Sequence, residues 1–132
     1  MRLSVHPRRH MPRFLKPCFW SCDFRRLDRL RHAETIITQV LNYGDWRMVR
    51  WLLDTYEPST VRYVVGHPHR GMWFPQALTL WTMLYGIKLP WWLRHAAIRE
   101  LDPARRDWTA MTRYMAWRRR VKPIARVARL KR

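Results

Sequence analysis

Arginines alternate with aromatic residues along residues 105–120, RRDWTAMTRYMAWRRR. Guanidinium groups pair with phosphates and aromatic rings stack on bases, so the pattern is typical of nucleic-acid-binding segments. Trp108, Tyr114 and Trp117 are the candidates for stacking. In the alternative, which we favour, the rings are core residues and only the arginines face water, so that binding is electrostatic. The candidate phosphate contacts are Arg62, Arg105, Arg106, Arg113, Arg118, Arg119, Arg120, Lys122, Arg126 and Arg129.

The charge of the chain is concentrated at its two ends. The 132 residues carry a formal net charge of +18, of which residues 1–17 contribute +5, residues 18–102 contribute +3 and residues 103–132 contribute +10. Basic tails of this kind usually bind polyanions, which include DNA, RNA, acidic protein surfaces and anionic lipid. A solvated tail without a dedicated partner is the alternative.

The spacing of apolar residues predicts a small all-α domain of about five short helices over residues 18–102. The first helix begins near His32 and ends at Gly44, a position suited to the left-handed conformation of a helix C-cap. Asp45 is then the N-cap of a second helix, which ends near Tyr56. The predicted inward residues of these two helices are Ile36, Ile37, Val40, Leu41, Val49, Leu52, Leu53 and Tyr56.

The turn at residues 57–59 separates the second helix from a third, with Ser59 as its predicted cap. This spacing is that of a helix–turn–helix motif, in which the second helix of the pair reads the major groove. Thr60, Arg62 and Tyr63 would then point outward, and Arg62 would contact a base or a phosphate. A compact three-helix core has the same spacing, and we favour that structural interpretation.

Prolines mark the starts of the remaining helices. Pro75 and Pro90 suit the first turns of a fourth and a fifth helix. Asp102 followed by proline predicts the start of a basic amphipathic helix over residues 103–120. Its stripe of Trp108, Met111 and Met115 is expected to dock on the domain, or otherwise on a partner or a membrane surface. The fourth helix is expected to be largely buried through Leu78, Trp81, Met83, Leu84 and Tyr85. Residues 1–17 are expected to form a disordered arm, and the C-terminal end of residues 103–132 a disordered tail.

No arrangement of side chains in the sequence indicates catalysis. Asp23 and Asp28 lie close together, but neighbouring arginines favour salt bridges over acid–base chemistry. The four glycines do not form a phosphate-binding loop. We therefore expect a non-enzymatic protein with no catalytic residue and no cofactor.

Two cysteines and two histidines could in principle form a Cys2His2 zinc site. Cys18 and Cys22 are spaced C-x3-C, and His67 and His69 are spaced H-x-H, which are not the spacings of a common zinc module. We expect no metal, and the low cysteine content favours a cytoplasmic protein. The uncharged residues 71–87 contain too many polar residues for a spanning helix, so membrane insertion is not expected.

Four motifs, in order, resemble a small uncharacterised bacterial helical domain family over about residues 18–90. They read FWSCDFRRLD, ETIITQVLNYGDW, WLLDTY and PQALTLWTMLYGI. The genes of that family often lie beside nucleotidyltransferase-type toxins of the abortive-infection kind, which implies an antitoxin-like or regulatory role. Phe74, Gln76 and Thr79 stand where the family has Ser, Lys and Asn. The matching positions are Phe19, Trp20, Asp23, Leu27, Asp28, Ile36, Ile37, Val40, Leu41, Gly44, Asp45, Trp46, Pro75, Leu78, Trp81 and Gly86.

Two functions therefore stay open at this point. The first is a non-enzymatic regulator that binds DNA or RNA, mainly through phosphate contacts from residues 103–132. The second is an antitoxin-like protein-interaction module that binds an acidic partner protein. The first predicts steep salt dependence on bare nucleic acid, and the second predicts a tight stoichiometric protein complex.

Overall fold

The computed structural model describes residues 11–132, and the regular structure of this part of the chain is helical. The predicted all-α class is confirmed. The α-helices are α1 (Ala33–Tyr43), α2 (Trp46–Thr55), α3 (Pro58–Gly66), α4 (Pro75–Leu84), α5 (Trp91–Ala97), α6 (Trp108–Arg118) and α7 (Ile124–Val127). Short 3₁₀ helices cover Arg13–Phe19, Phe24–Arg26 and Pro103–Arg105. Isolated β-bridges join Tyr56 to Leu130 and Trp73 to Ile98.

The described residues form two compact units. Unit 1 comprises residues 11–61 and Pro123–Arg132, and unit 2 comprises Arg62–Lys122. The predicted division at residue 102 falls inside unit 2, because α5 and α6 pack on each other. The end of the chain belongs to unit 1, where α7 contacts α1.

The core of unit 1 is built around α1. The predicted stripe of this helix is buried, with Ile36, Ile37 and Val40 completely inaccessible to solvent. Helix α2 and the 3₁₀ helix Arg13–Phe19 both pack against α1. The inward face of α2 is buried as predicted, except that Leu53 is only half-buried.

Both ends of unit 1 depart from the expected disorder. Leu15 is completely buried, so the predicted arm of residues 1–17 is packed where it is described, and residues 1–10 lie outside the described residues. At the other end, the N–H of Lys131 donates to the carbonyl of Thr55 at 2.8 Å, and Ala128 is buried. Apolar residues placed between the arginines allow the basic tail to pack, which composition alone did not reveal.

The turn between α1 and α2 has a different geometry from the one predicted. Gly44 is the C-cap of α1, but its backbone is extended, with φ −74° and ψ 149°. Glycine is needed there because a Cβ would lie 2.6 Å from the carbonyl oxygen of Val40. Asp45 caps α2 as predicted, accepting a hydrogen bond from the N–H of Met48 at 3.0 Å.

Unit 2 contains α4, α5 and α6. The bridge between Trp73 and Ile98 ties the segment before α4 to the end of α5. Gly86 ends the α4 segment with φ 65°, a left-handed conformation that glycine adopts without strain. The prediction that α4 is buried on most sides was wrong for two residues, because Met83 is 68% and Leu84 60% exposed.

Helix α6 begins later than predicted and turns a different face inward. Asp102 caps only the 3₁₀ helix Pro103–Arg105, and the side chain of Asp107 caps α6 by accepting from the N–H of Ala110. The buried residues of α6 are Ala110 and Tyr114. Of the predicted stripe only Met111 packs inward, against the cluster of Leu93, Ala96 and Tyr114. Trp108 and Met115 are exposed instead.

Candidate nucleic-acid interface

The outward face of α6 carries an exposed indole at its first turn and cations at its end. Trp108 directly follows the N-cap Asp107 and is 65% exposed. Arg113, Arg119 and Arg120 are also exposed. Because 3.6 residues make one turn of a helix, Trp108, Met115 and Arg119 fall along one side of α6.

A second exposed indole lies on α5, next to α6. Trp91 is the first residue of α5 and is 51% exposed. The guanidinium carbon of Arg113 lies 5.8 Å from the centre of the Trp91 ring, which is cation–π distance. Trp91 was not among the predicted site residues. Its sequence signal was its position directly after Pro90, at the predicted start of the fifth helix.

Two of the three predicted stacking residues belong to the interior. The hydroxyl oxygen of the buried Tyr114 accepts a hydrogen bond from the N–H of Arg70 at 3.0 Å. Trp117 is half-buried and stacks on His67, with the ring centres 5.6 Å apart and the planes 8° from parallel. His67 in turn stacks on Tyr63 at 4.0 Å. Tyr114 and Trp117 therefore stabilise unit 2, and the core interpretation of these two rings is confirmed, whereas Trp108 is available at the surface.

A cleft of about 280 Å³ opens beside α6 within unit 2. Three arginines and a histidine in its wall outnumber the two carboxylates, and Met111 adds an apolar surface. A cleft of this composition can hold an anionic group with an apolar part. Its lining residues are Arg70, Gly71, His95, Ala96, Ile98, Glu100, Arg105, Arg106, Asp107 and Met111.

Nine of the ten predicted phosphate contacts are exposed, and some of the ten also bond to other groups of the protein. Arg118 donates to the carbonyl of His67 at 3.1 Å, and Arg105 lies 3.7 Å from the carboxylate of Asp102. Arg62 donates to the carbonyl of Tyr85 at 3.4 Å. Arg126 and Arg129 belong to unit 1, and the other eight belong to unit 2. The exposed members are Arg62, Arg105, Arg106, Arg113, Arg119, Arg120, Lys122, Arg126 and Arg129.

Two of the three residues predicted to point outward from α3 contact other parts of the protein. Thr60 is buried, and its hydroxyl accepts from the N–H of Arg129 at 2.8 Å. Tyr63 is half-buried and donates to the carbonyl of Lys122. Arg62 alone of the three predicted reading residues is exposed. These contacts give Thr60 and Tyr63 structural roles, so that Arg62 is the residue of the three that is left for a base or a phosphate.

The acidic residues near the start of the described chain have structural roles, and Cys18 next to them is buried. Asp23 caps the 3₁₀ helix Phe24–Arg26 and lies 3.5 Å from the guanidinium of Arg26, as the salt-bridge interpretation predicted. The buried Asp28 instead accepts from the N–H of Leu30 at 2.8 Å. Burial, reinforced by the nearby carboxylate of Asp45, raises the pKa of the Cys18 thiol.

Within residues 11–132, no group of three or more His, Cys, Asp or Glu residues lies close enough to hold a metal ion. The same part of the chain contains no helix that is long and apolar enough to cross a membrane.

Comparison with known proteins identifies one similarity. Residues 14–65 match a family of unknown function, DUF6922. This stretch runs from the 3₁₀ helix Arg13–Phe19 to the end of α3, and includes the GDW turn between α1 and α2. No curated protein and no solved structure matches the chain. The candidate interface on α5 and α6 lies outside the matched residues.

Proposed function

We propose that the protein is a non-enzymatic regulator that binds nucleic acid, mainly through phosphate contacts of unit 2. The observation that carries this proposal is the charge of Arg62–Lys122. This unit contains twelve Lys and Arg residues and three Asp and Glu residues, so its net charge is +9. Exposed guanidinium groups on α6 and directly after it are suited to phosphate oxygens. Neutralising phosphates releases condensed counterions, so this binding weakens as salt rises.

The test is best made on the full chain, because residues after Asp102 are part of the fold of unit 2. Removing them would delete Tyr114 and uncover Leu93 and Ala96, which pack with it. A triple variant, Arg113→Gln, Arg119→Gln and Arg120→Gln, removes three exposed charges without touching the core. The matched control removes the same charge from exposed positions of unit 1, by Arg25→Gln, Arg31→Gln and Arg50→Gln.

Fluorescence anisotropy with labelled duplex DNA and labelled single-stranded RNA, over a series of salt concentrations, measures the effect. We expect the unit 2 triple variant to lower the slope of log K against log salt by about 2 to 3, since each phosphate contact contributes roughly 0.9 on duplex DNA. The unit 1 control should keep the wild-type slope. Equal losses in both variants would contradict the assignment to unit 2, and no binding by the wild type at low salt would reject the proposal.

A second candidate function is an antitoxin-like module that binds an acidic partner protein. The observation that favours it is the exposed apolar face of α4, where Leu80, Met83 and Leu84 are unshielded. Contiguous apolar surface of this kind marks protein interfaces. The resemblance to a family encoded beside nucleotidyltransferase-type toxins names the partner to test. Co-expression with such a neighbouring gene product should give a stoichiometric complex that Met83→Asp disrupts, while Arg50→Gln leaves it intact.

A further inference from the structure

We infer that unit 2 prefers single-stranded over duplex nucleic acid, with unpaired bases stacking on Trp108 and Trp91. The residues concerned are Trp91 and Arg113, which contact each other, and the exposed Arg106, Trp108 and Arg119 before, on and after α6. This inference rests on the proposed nucleic-acid binding and adds the class of strand and the residues that select it.

The first argument is the contrast among the tryptophans of unit 2. Trp73 is completely buried and Trp81 nearly so. Trp92 and Trp117 are half-buried and contact each other, with ring centres 5.9 Å apart. Trp91 and Trp108 are the exposed members of the set.

Exposing two indoles forgoes the free energy that burying them would supply, since an aromatic side chain buries 150–250 Å² in a typical core. Core packing therefore does not account for their positions. Single exposed apolar side chains are common on protein surfaces, so exposure by itself does not mark a site, and the charge around the two rings has to be considered with it.

The second argument is the charge around these rings. The guanidinium of Arg113 lies 5.8 Å from the centre of the Trp91 ring, and Arg106 and Arg119 are exposed at the two ends of α6. The carboxylate of Asp107 accepts from the N–H of Ala110, so it is used in capping the helix. A cation against the Trp91 ring and further exposed cations before and after α6 fit a strand that carries both bases and phosphates, and this complementarity selects a nucleic-acid strand as the occupant.

The third argument concerns strandedness. In a duplex each base face is covered by the neighbouring pair, so an indole on a protein surface reaches a base face only where the strand is unpaired. The faces of Trp108 and Trp91 are therefore useful to a single strand and contribute little to a duplex. The arginines can contact the phosphates of a single strand and of a duplex alike.

The cleft beside α6 supports the same occupant. Asp107 and Met111, which flank Trp108 along the chain, both line it, and Arg70, His95 and Arg105 supply donors to its wall. Its volume of about 280 Å³ is at the lower end of the range for small-molecule sites, enough for part of one nucleotide. The phosphate or sugar next to a base on Trp108 can enter it.

The test compares a labelled single-stranded 12-nucleotide oligo(dT) with a labelled duplex of the same length in salt titrations of the full chain. Trp108→Leu keeps an apolar side chain but removes the stacking face, whereas Trp108→Phe keeps a ring. Trp46→Leu is the matched control, because Trp46 is 71% exposed and also follows an aspartate N-cap at the first position of a helix.

We expect Trp108→Leu to weaken oligo(dT) binding at least about fivefold, since a base–aromatic stack contributes roughly 1–3 kcal/mol. The salt slope should stay unchanged, because no cation is lost. Trp108→Phe should retain most of the affinity, Trp91→Leu should repeat the loss, and Trp46→Leu should bind as the wild type does. Duplex affinity should change less than twofold in every variant.

Wild-type binding to duplex that is as tight as to oligo(dT), with Trp108→Leu unchanged, would overturn the inference and leave the proposed function standing. If the wild type bound neither oligo(dT) nor the duplex, the proposed function itself would be rejected. Equal losses in Trp46→Leu and Trp108→Leu would also overturn it, because stacking would not be specific to unit 2. The inference would also be overturned if Trp108→Leu weakened binding to anionic lipid vesicles but not to oligo(dT). The exposed rings would then bind a membrane surface.

Discussion

The backbone N–H of Arg70 donates a hydrogen bond of 3.0 Å to the hydroxyl oxygen of Tyr114, which lies 44 residues further along the chain. This bond joins the loop after α3 to the buried face of α6. The same tyrosine ring packs with Leu93 and Ala96 of α5. One side chain thus connects three segments of unit 2, and the outward face of α6 depends on it for its orientation.

Replacing Tyr114 should separate the contribution of the ring from that of the hydroxyl group. Tyr114→Phe removes the acceptor, and we expect a loss of about 0.5–1.5 kcal/mol in the free energy of unfolding. Tyr114→Ala also removes the buried ring, and the expected loss is about 3–5 kcal/mol. Urea unfolding followed by tryptophan fluorescence measures both. Equal losses in the two variants would contradict the division between ring and hydroxyl.

The close approach at the end of α1 predicts a clear difference between two glycines. In Gly44→Ala the new Cβ would lie 2.6 Å from the carbonyl oxygen of Val40, so the turn must shift, and we expect a loss of about 1–3 kcal/mol. Gly66→Ala is the control, because its Cβ would meet Ile87 at an ordinary 3.6 Å.

Gly66 is the last residue of α3, where alanine is the better helix former, so Gly66→Ala should be neutral or stabilising by up to about 1 kcal/mol. Thermal and urea unfolding of the two variants give the comparison. A Gly44→Ala protein as stable as the wild type would show that the turn relaxes at little cost.

Tyr56 predicts a loss of stability in alkali. Its hydroxyl donates to the carbonyl of Arg29 at 2.6 Å, and burial raises the pKa of this completely buried phenol well above its ordinary value of about 10. The neutral phenol thus stabilises the fold fully below pH 10. Above pH 10 the unfolded chain ionises first, so the contribution is lost as pH rises towards the folded pKa, by about 1.4 kcal/mol per pH unit.

Unfolding free energies of the wild type and Tyr56→Phe at pH 9, 10 and 11 test this linkage. The variant lacks the hydrogen bond, so it should be less stable at pH 9 by about 1 kcal/mol. Its stability should also fall less steeply than that of the wild type between pH 10 and 11. Parallel pH profiles would mean that Tyr56 does not carry the alkaline sensitivity.

The fold was predictable where one local signal decided the outcome. The stripe of Ile36, Ile37 and Val40 and the cap at Asp45 follow from helical periodicity and from a short acceptor at a helix start. The prediction that Asp102 is the N-cap of α6 was wrong, because Asp102 and Asp107 are both aspartates that can cap a helix start. Asp102 caps a single 3₁₀ turn, and Asp107 caps the helix that packs on α5.

The chemistry of the candidate site was predictable from the sequence, but the identity of its exposed residues was not. Composition identified the arginines and aromatic rings of residues 105–120, but periodicity allowed two inward faces for α6. Packing selected the face of Ala110 and Tyr114, because a small residue allows close approach and the tyrosine reaches the N–H of Arg70. Trp108 was thereby left in solvent, and Arg113 of the same helix contacts the exposed Trp91 of α5.

The sequence by itself determined the helical class, the order of the helices in unit 1 and the cationic character of the C-terminal segment, since these depend on neighbours a few residues apart. Tertiary structure alone decided that the basic segment divides between two units and that Trp108 is exposed. It also decided that Arg118 donates to the backbone carbonyl of His67. These outcomes depend on contacts between residues distant in the chain, where several faces and partners compete and the best-packed arrangement prevails.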